Sequence, residues 1–222
     1  MGSPAEDLAA RVKSAAEKRV GGKAVAGGKD KGGIDCFALI DQVLKAEGGK
    51  TAADFGPVSP NADYVWGEAV ELDAVKPGDI LQFRDHAVTT RTQTLGEIKW
   101  EETSVEGPAR RPHHSAVVVE VRGDGSVVVV EQNVKPTPNK VTRNVIARLA
   151  DGEETRRPSN MVKKVITVTG TVKAYRPVPK PKEATLLRRD GKLPVGGRRA
   201  LADDYVPGEG GLKRPPGPLG RA

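Results

Sequence analysis

The sequence predicts an α+β fold in which helices come first along the chain and antiparallel strands follow. Residues 6–20 and 36–47 carry apolar side chains at helical spacing. Residues 116–121 and 126–130 are runs of β-branched residues, and residues 122–125 between them have the composition of a tight turn, which predicts a hairpin. A helical layer packed on an antiparallel sheet accounts for this order.

The chain divides into three segments by composition. Residues 1–30 contain a short amphipathic helix and a glycine-rich linker, residues 31–176 form the folded domain, and residues 177–222 are rich in Pro, Gly, Lys and Arg. Residues 176–222 hold 11 Lys/Arg against 5 Asp/Glu, so most of the net charge of +7 belongs to the tail. This composition predicts a disordered tail that either has no specific partner or holds an anionic polymer.

The composition also excludes several classes of protein. A single cysteine excludes an internal disulfide framework and a Cys-based zinc site. The three histidines lack metal-ligand spacing, and no glycine loop has the context of a phosphate site, so no metal or cofactor is predicted.

No stretch is apolar for long enough to cross a membrane, and the amino terminus lacks the pattern of a signal peptide. The sequence as written therefore predicts a cytoplasmic protein, unless a non-classical route exports it.

Cys36 is the candidate nucleophile. It follows Gly33-Ile34-Asp35, at the point where a glycine-rich loop gives way to the second helix, and Asp35 is placed to cap that helix. The free N–H groups at a helix start favour the thiolate form. The alternative is a cysteine that only packs in the core, since free cysteine is often buried.

Candidates for a general base and an orienting group lie further along the chain. His113 and His114 open an apolar strand, and because neighbours on a strand point to opposite faces, only one of them can serve as the base. His86 is a third option. Glu131 and Asn133 end the next strand on one face, and either can accept a hydrogen bond from an imidazole. The alternative is a polar strand end that leads into a loop.

The order of these motifs resembles the CHAP family of cysteine, histidine-dependent amidohydrolases and peptidases, which is papain-like and related to the NlpC-type cell-wall peptidases. The resemblance covers about residues 31–177 and leaves a long polar span before His113 unexplained. Four segments carry it: Gly33-Ile34-Asp35-Cys36, Lys76-Pro77-Gly78-Asp79-Ile80, His114-Ser115-Ala116-Val117-Val118 and Glu131-Gln132-Asn133. Tyr175-Arg176-Pro177 also resembles the last strand of the family.

The resemblance implies a papain-like domain in which a helix bearing the nucleophile packs on an antiparallel sheet. It implies that Cys36 attacks an amide carbonyl, that His114 is the base, and that Glu131 orients the base with the assistance of Asn133. It also implies peptidoglycan peptide cross-links or glycan–peptide amides as the leading substrate. A cytoplasmic amidase for a small amide is the alternative enzyme.

Two rivals come from other functional classes. A binding module would keep the fold and hold a peptide in the same groove without a reactive thiol. A nucleic-acid-binding protein would act through its basic tail, with an affinity that falls steeply with salt. The tail holds a single aromatic residue, Tyr205, so stacking on bases is poorly supported.

Overall fold

The computed structural model describes residues 3–27, 36–59, 62–96, 99–156 and 161–181. The Gly33-Ile34-Asp35 part of the nucleophile motif, the helix cap predicted for Asp35, and the tail from residue 182 onward lie outside these ranges.

The predicted order of helices before strands is present. The two α-helices and the strands have these bounds: α1 Pro4–Glu17, α2 Cys36–Glu47, β1 Glu68–Val70, β2 Ile80–Leu95, β3 Trp100–Val121, β4 Val127–Val134, β5 Thr137–Ile146, β6 Gly152–Arg156 and β7 Val162–Arg176. Short 3₁₀ turns at Ala52–Asp54 and Leu72–Ala74 interrupt the irregular segment between α2 and β2. None of the helices in the described ranges combines the length and the apolar character needed to cross a membrane.

The described strands form one antiparallel sheet. Its order is β1-β7-β2-β3-β4-β5, and β6 pairs with β7. The predicted hairpin of the two valine-rich runs is the β3–β4 pair, with Val121 opposite Val127 and Val117 opposite Val130. The pairing of β3 with β4 ends at Val117 and Val130, although both strands extend further.

Helix α1 is fixed at its amino end by a capping box. The hydroxyl of Ser3 accepts a hydrogen bond from the Glu6 N–H, and the Glu6 carboxylate accepts one from the Ser3 N–H. Leu8 and Val12 of α1 are fully buried in the same apolar cluster as α2. The amino-terminal helix, predicted as a segment apart from the folded domain, thus shares the core of that domain.

The apolar residues form two clusters, and alternate positions of β4 contribute to each. The first cluster includes both helices with Val128 and Val130, and the second includes Val127 and Val129. Each fully buried Val, Leu or Phe contributes about 1.5–3 kcal/mol relative to an exposed one. The sheet is therefore apolar on both faces at β4.

The polar span that the resemblance left unexplained is the long β2–β3 hairpin. At the far end of this hairpin Leu95 pairs with Trp100, and the Gly96 N–H donates to the Lys99 carbonyl. The hairpin contains an irregularity, because Asp85 has a left-handed φ of 50° and the register places it opposite Pro112, which has no N–H to donate.

Trp66 packs in the core and does not line a groove. It is fully buried, its ring centroid lies 5.1 Å from that of Phe37, and its indole N–H donates to the Gln82 side chain over 3.3 Å. Tyr64 completes this aromatic cluster, with its centroid 4.8 Å from that of Phe37. The cluster holds the segment before β1 against the first turn of α2.

Candidate active site

Cys36 is the first residue of α2. Its Sγ lies 3.9 Å from the carbonyl oxygen of His113 on β3, and 7% of the residue is exposed. The apolar face of α2, with Phe37 and Ile40 buried in the core, determines this position. The helix start is thereby placed over the backbone of β3 immediately before His114.

The imidazole of His114 interacts with both Cys36 and Glu131. Its Nε2 lies 3.0 Å from the Glu131 Oε2, and the contact is an ion pair in which the oxygen lies off the direction of a linear hydrogen bond. Burial alone would lower the pKa of His114, but the interactions with Cys36 and Glu131 outweigh it and raise that pKa to about 9. The charged imidazolium of His114 is thus favoured in a buried position between Cys36 and the Glu131 carboxylate.

Glu131 is a fully buried carboxylate near the end of β4. Arg111 donates to both of its oxygens, from Nε to Oε2 over 2.9 Å and from Nη2 to Oε1 over 2.7 Å. Burial acts to raise the pKa of Glu131, but the ion pair with His114 and the hydrogen bonds from Arg111 hold it well below the usual range. The group that faces His114 is therefore ionised.

Asn133 differs from Glu131 in backbone conformation and in exposure. The expected alternation ends at this residue, because its φ of 62° is left-handed and turns the strand, so that Glu131 is buried and Asn133 is exposed. The Asn133 Oδ1 accepts a hydrogen bond of 3.4 Å from the Asn139 N–H. The amide beside the carboxylate belongs to Asn144 of β5, whose Nδ2 donates to the Glu131 Oε1 over 2.9 Å.

His113 and His114 occupy different surroundings, as strand alternation predicts. The Nε2 of His113 donates to the Ala62 carbonyl over 2.9 Å, and its ring lies 5.1 Å from that of Tyr64. Burial, followed by the positive charge of Arg84, lowers the pKa of His113. This ring holds the 62–64 segment against β3.

His86 lies on the Arg111 side of the site. It is 1% exposed, its ring centroid is 4.9 Å from that of Phe83, and it pairs with Arg111 in the strand register. Among the described residues, neither of its ring nitrogens has a hydrogen-bond partner. Burial, and then the charge of Arg111, lower its pKa to about 4 against the opposing effect of Glu131.

We expect His86 to make the protein sensitive to acid. Its pKa is depressed from 6.5, so the stability that depends on a neutral imidazole is present above about pH 6.5 and is lost as the pH falls through about 4. A His86→Phe variant removes this titration. The difference in the free energy of unfolding between the two proteins should change by about 1–2 kcal/mol between pH 7 and pH 4.5, measured by urea unfolding. Parallel pH curves for the two proteins would contradict this expectation.

The three groups that a thiol hydrolase needs lie in contact in the order thiol, imidazole, carboxylate. A thiolate beside an imidazolium is a nucleophile with a proton donor at hand, and the carboxylate determines which imidazole nitrogen carries a proton. Within the described ranges, no group of three or more His, Cys, Asp or Glu side chains is arranged to hold a metal ion.

A comparison with family models finds a match that covers most of the chain. Residues 4–184 match the AIM3/BBC1 cysteine proteinase-fold domain. Comparisons with curated proteins and with solved structures find no match. The match supports a papain-like fold without singling out the CHAP or NlpC branch, and it includes α1, Cys36, His114 and Glu131. The chain belongs to the AIM3/BBC1 cysteine proteinase-fold domain family.

Proposed function

We propose that this protein is a thiol-dependent amide hydrolase with Cys36 as nucleophile, His114 as acid and base, and Glu131 as the group that orients the imidazole. The observation that carries the proposal is the contact of His114 with both Cys36 and the buried Glu131 carboxylate. A cysteine that only packed in the core would not need an ion-paired histidine beside it.

The proposed reaction has two steps. The thiolate of Cys36 attacks the amide carbon while the imidazolium of His114 gives its proton to the departing nitrogen, and the products are a thioester and a free amine. A water molecule, deprotonated by the now neutral imidazole, then attacks the thioester and releases the acid. The N–H of Cys36 is not used by the hydrogen bonds of α2 itself, which makes it available to a developing oxyanion.

The substrate class in this proposal is an amide of a peptidoglycan peptide or of its link to glycan. It rests on the sequence resemblance to CHAP alone. A small amide is the other substrate to test.

A catalytically inactive binding module is the second candidate. The observation in its favour is burial, since Cys36 and His114 are each 7% exposed. In that case the groove would hold a ligand, and the Cys36–His114 contact would contribute only to stability.

The rate of alkylation of Cys36 by iodoacetamide, followed by mass against pH, tests the proposal. Cys36 is the only thiol in the chain, so the signal is unambiguous. We expect the wild-type thiol to react at pH 6–7 at least tenfold faster than the thiol of His114→Ala, because the imidazolium maintains the thiolate. His113→Ala is the matched control and should follow the wild type. Slow alkylation that is indifferent to His114 would overturn the hydrolase proposal in favour of the binding module.

Release of new amino groups from purified peptidoglycan and from a panel of small amides then identifies the substrate. Cys36→Ala should abolish the release. Turnover of small amides without turnover of peptidoglycan would refute the wall substrate and leave the chemistry intact.

A further inference from the structure

Both oxygens of the Glu131 carboxylate are engaged by groups other than the histidine. Arg111 donates to each of them, and Asn144 donates a further hydrogen bond to Oε1. His114 contacts Oε2. A carboxylate that only required charge balance would need one cation, whereas this one is also fixed in its plane by a two-point guanidinium contact.

The groups that hold Glu131 are themselves held. The guanidinium of Arg111 lies over the Phe83 ring, 5.6 Å from its centroid. The Nδ2 of Asn144 also donates to the Thr142 hydroxyl over 3.1 Å. Arg111 comes from β3 and Asn144 from β5, so the two strands that flank β4 each supply one donor.

We propose that Arg111 and Asn144 are positioning residues that act on the reaction through Glu131, by fixing its carboxylate in the one orientation that directs Oε2 at His114. This inference rests on the proposed function, because it concerns the same imidazole. Among the described residues, the charged and titratable groups that face Glu131 are Arg111 and His114 on β3 and His86 on β2.

The orientation of the Glu131 carboxylate matters for the proposed reaction. If the carboxylate rotated, Oε2 would leave the imidazole, and His114 would lose the partner that fixes its ring beside Cys36. Arginine is suited to this task because its fork matches both oxygens of a carboxylate, whereas lysine offers a point charge. Arg111→Lys therefore retains the charge and removes the two-point geometry.

The test is the pH profile of Cys36 alkylation in Arg111→Lys, Asn144→Ala and the control Arg143→Lys. Arg143 is 47% exposed in its side chain and pairs with Glu120 on the surface. We expect the rate at pH 7 to fall at least tenfold in Arg111→Lys and about three- to tenfold in Asn144→Ala, with the profile displaced to higher pH. Arg143→Lys should match the wild type.

A merely structural role would lower the stability of the variants to urea without moving the alkylation profile of the folded protein. Wild-type profiles in both Arg111→Lys and Asn144→Ala, with a displaced profile in His114→Ala, would overturn this inference and leave the proposed function standing. An unchanged profile in His114→Ala would refute the proposed function itself. If Arg111→Lys fails to fold, Asn144→Ala decides, because it removes one neutral donor from the same carboxylate.

Discussion

Replacing Glu131 with leucine is expected to lower the free energy of unfolding by about 3–5 kcal/mol. The loss arises because Arg111, itself 6% exposed, would remain buried without its two carboxylate contacts. His114 would lose its anionic partner at the same time. Urea unfolding followed by tryptophan fluorescence measures the effect, since Trp66 is fully buried in the folded protein.

Two further variants test whether the loss of stability in Glu131→Leu comes from the unpaired buried charge and not from replacing a carboxylate with leucine. Glu120→Leu removes a carboxylate that pairs with Arg122 and Arg143 on the surface, and it should cost no more than about 1 kcal/mol. The double variant Arg111→Met/Glu131→Leu removes both buried charges and should recover much of the stability lost in Glu131→Leu. Equal losses from Glu131→Leu and Glu120→Leu would show that the buried pair does not carry the effect.

The role of Glu131 was implied by the family resemblance, and the face of β4 that carries it follows from strand alternation, because residues 127–131 form an uninterrupted strand. Val127, Val129 and Glu131 are alternate residues of β4 and so lie on one face of the strand. The two valines belong to the same apolar cluster. The same alternation fails for Asn133, since it assumes extended backbone and the residue takes a left-handed φ. Asparagine tolerates that conformation better than most residues, so its identity was compatible with either outcome.

Arg111 and Asn144 could not be predicted in the same way. Strict alternation would place Arg111 and His114 on opposite faces, whereas both contact Glu131. The irregularity of Asp85 opposite Pro112 lies between these positions, and periodicity carries no information about it. Asn144 depends on the pairing register of β5 with β4, which the sequence of either strand alone does not determine.

The helices show the opposite case, in which local pattern was sufficient. The apolar spacing of α2 predicted both its extent from Cys36 to Glu47 and its buried face. The sequence pattern did not reveal that the segment after α1 packs against the sheet, because its glycine pairs indicated a loose linker. In the structure the Val25 N–H and carbonyl are both bonded to the Gln132 side chain, which binds residues 21–25 to the sheet.

The stability of the protein is expected to fall as the pH rises from about 6.5 through about 9, because of His114. The folded-state pKa of about 9 lies above the unfolded value of 6.5, so its contribution is fully present below pH 6.5 and is lost as the pH passes 9. The contribution amounts to about 3 kcal/mol. The free energies of unfolding of the wild type and His114→Gln, measured by urea unfolding between pH 6 and pH 9.5, should converge by roughly this amount.

The matched control for this titration is the neighbouring histidine. His113→Gln should run parallel to the wild type above pH 6.5, because the pKa of His113 is lowered and the imidazole is already neutral there. Cys36→Ser removes one of the two partners that raise the pKa of His114, so its loss of stability should be smaller than in the wild type and should be complete at a lower pH. A constant difference between wild type and His114→Gln across this range would mean that the imidazole is neutral in the folded protein. In that event Cys36 would have no imidazolium beside it, and the proton that the proposed reaction delivers to the leaving nitrogen would have to come from elsewhere.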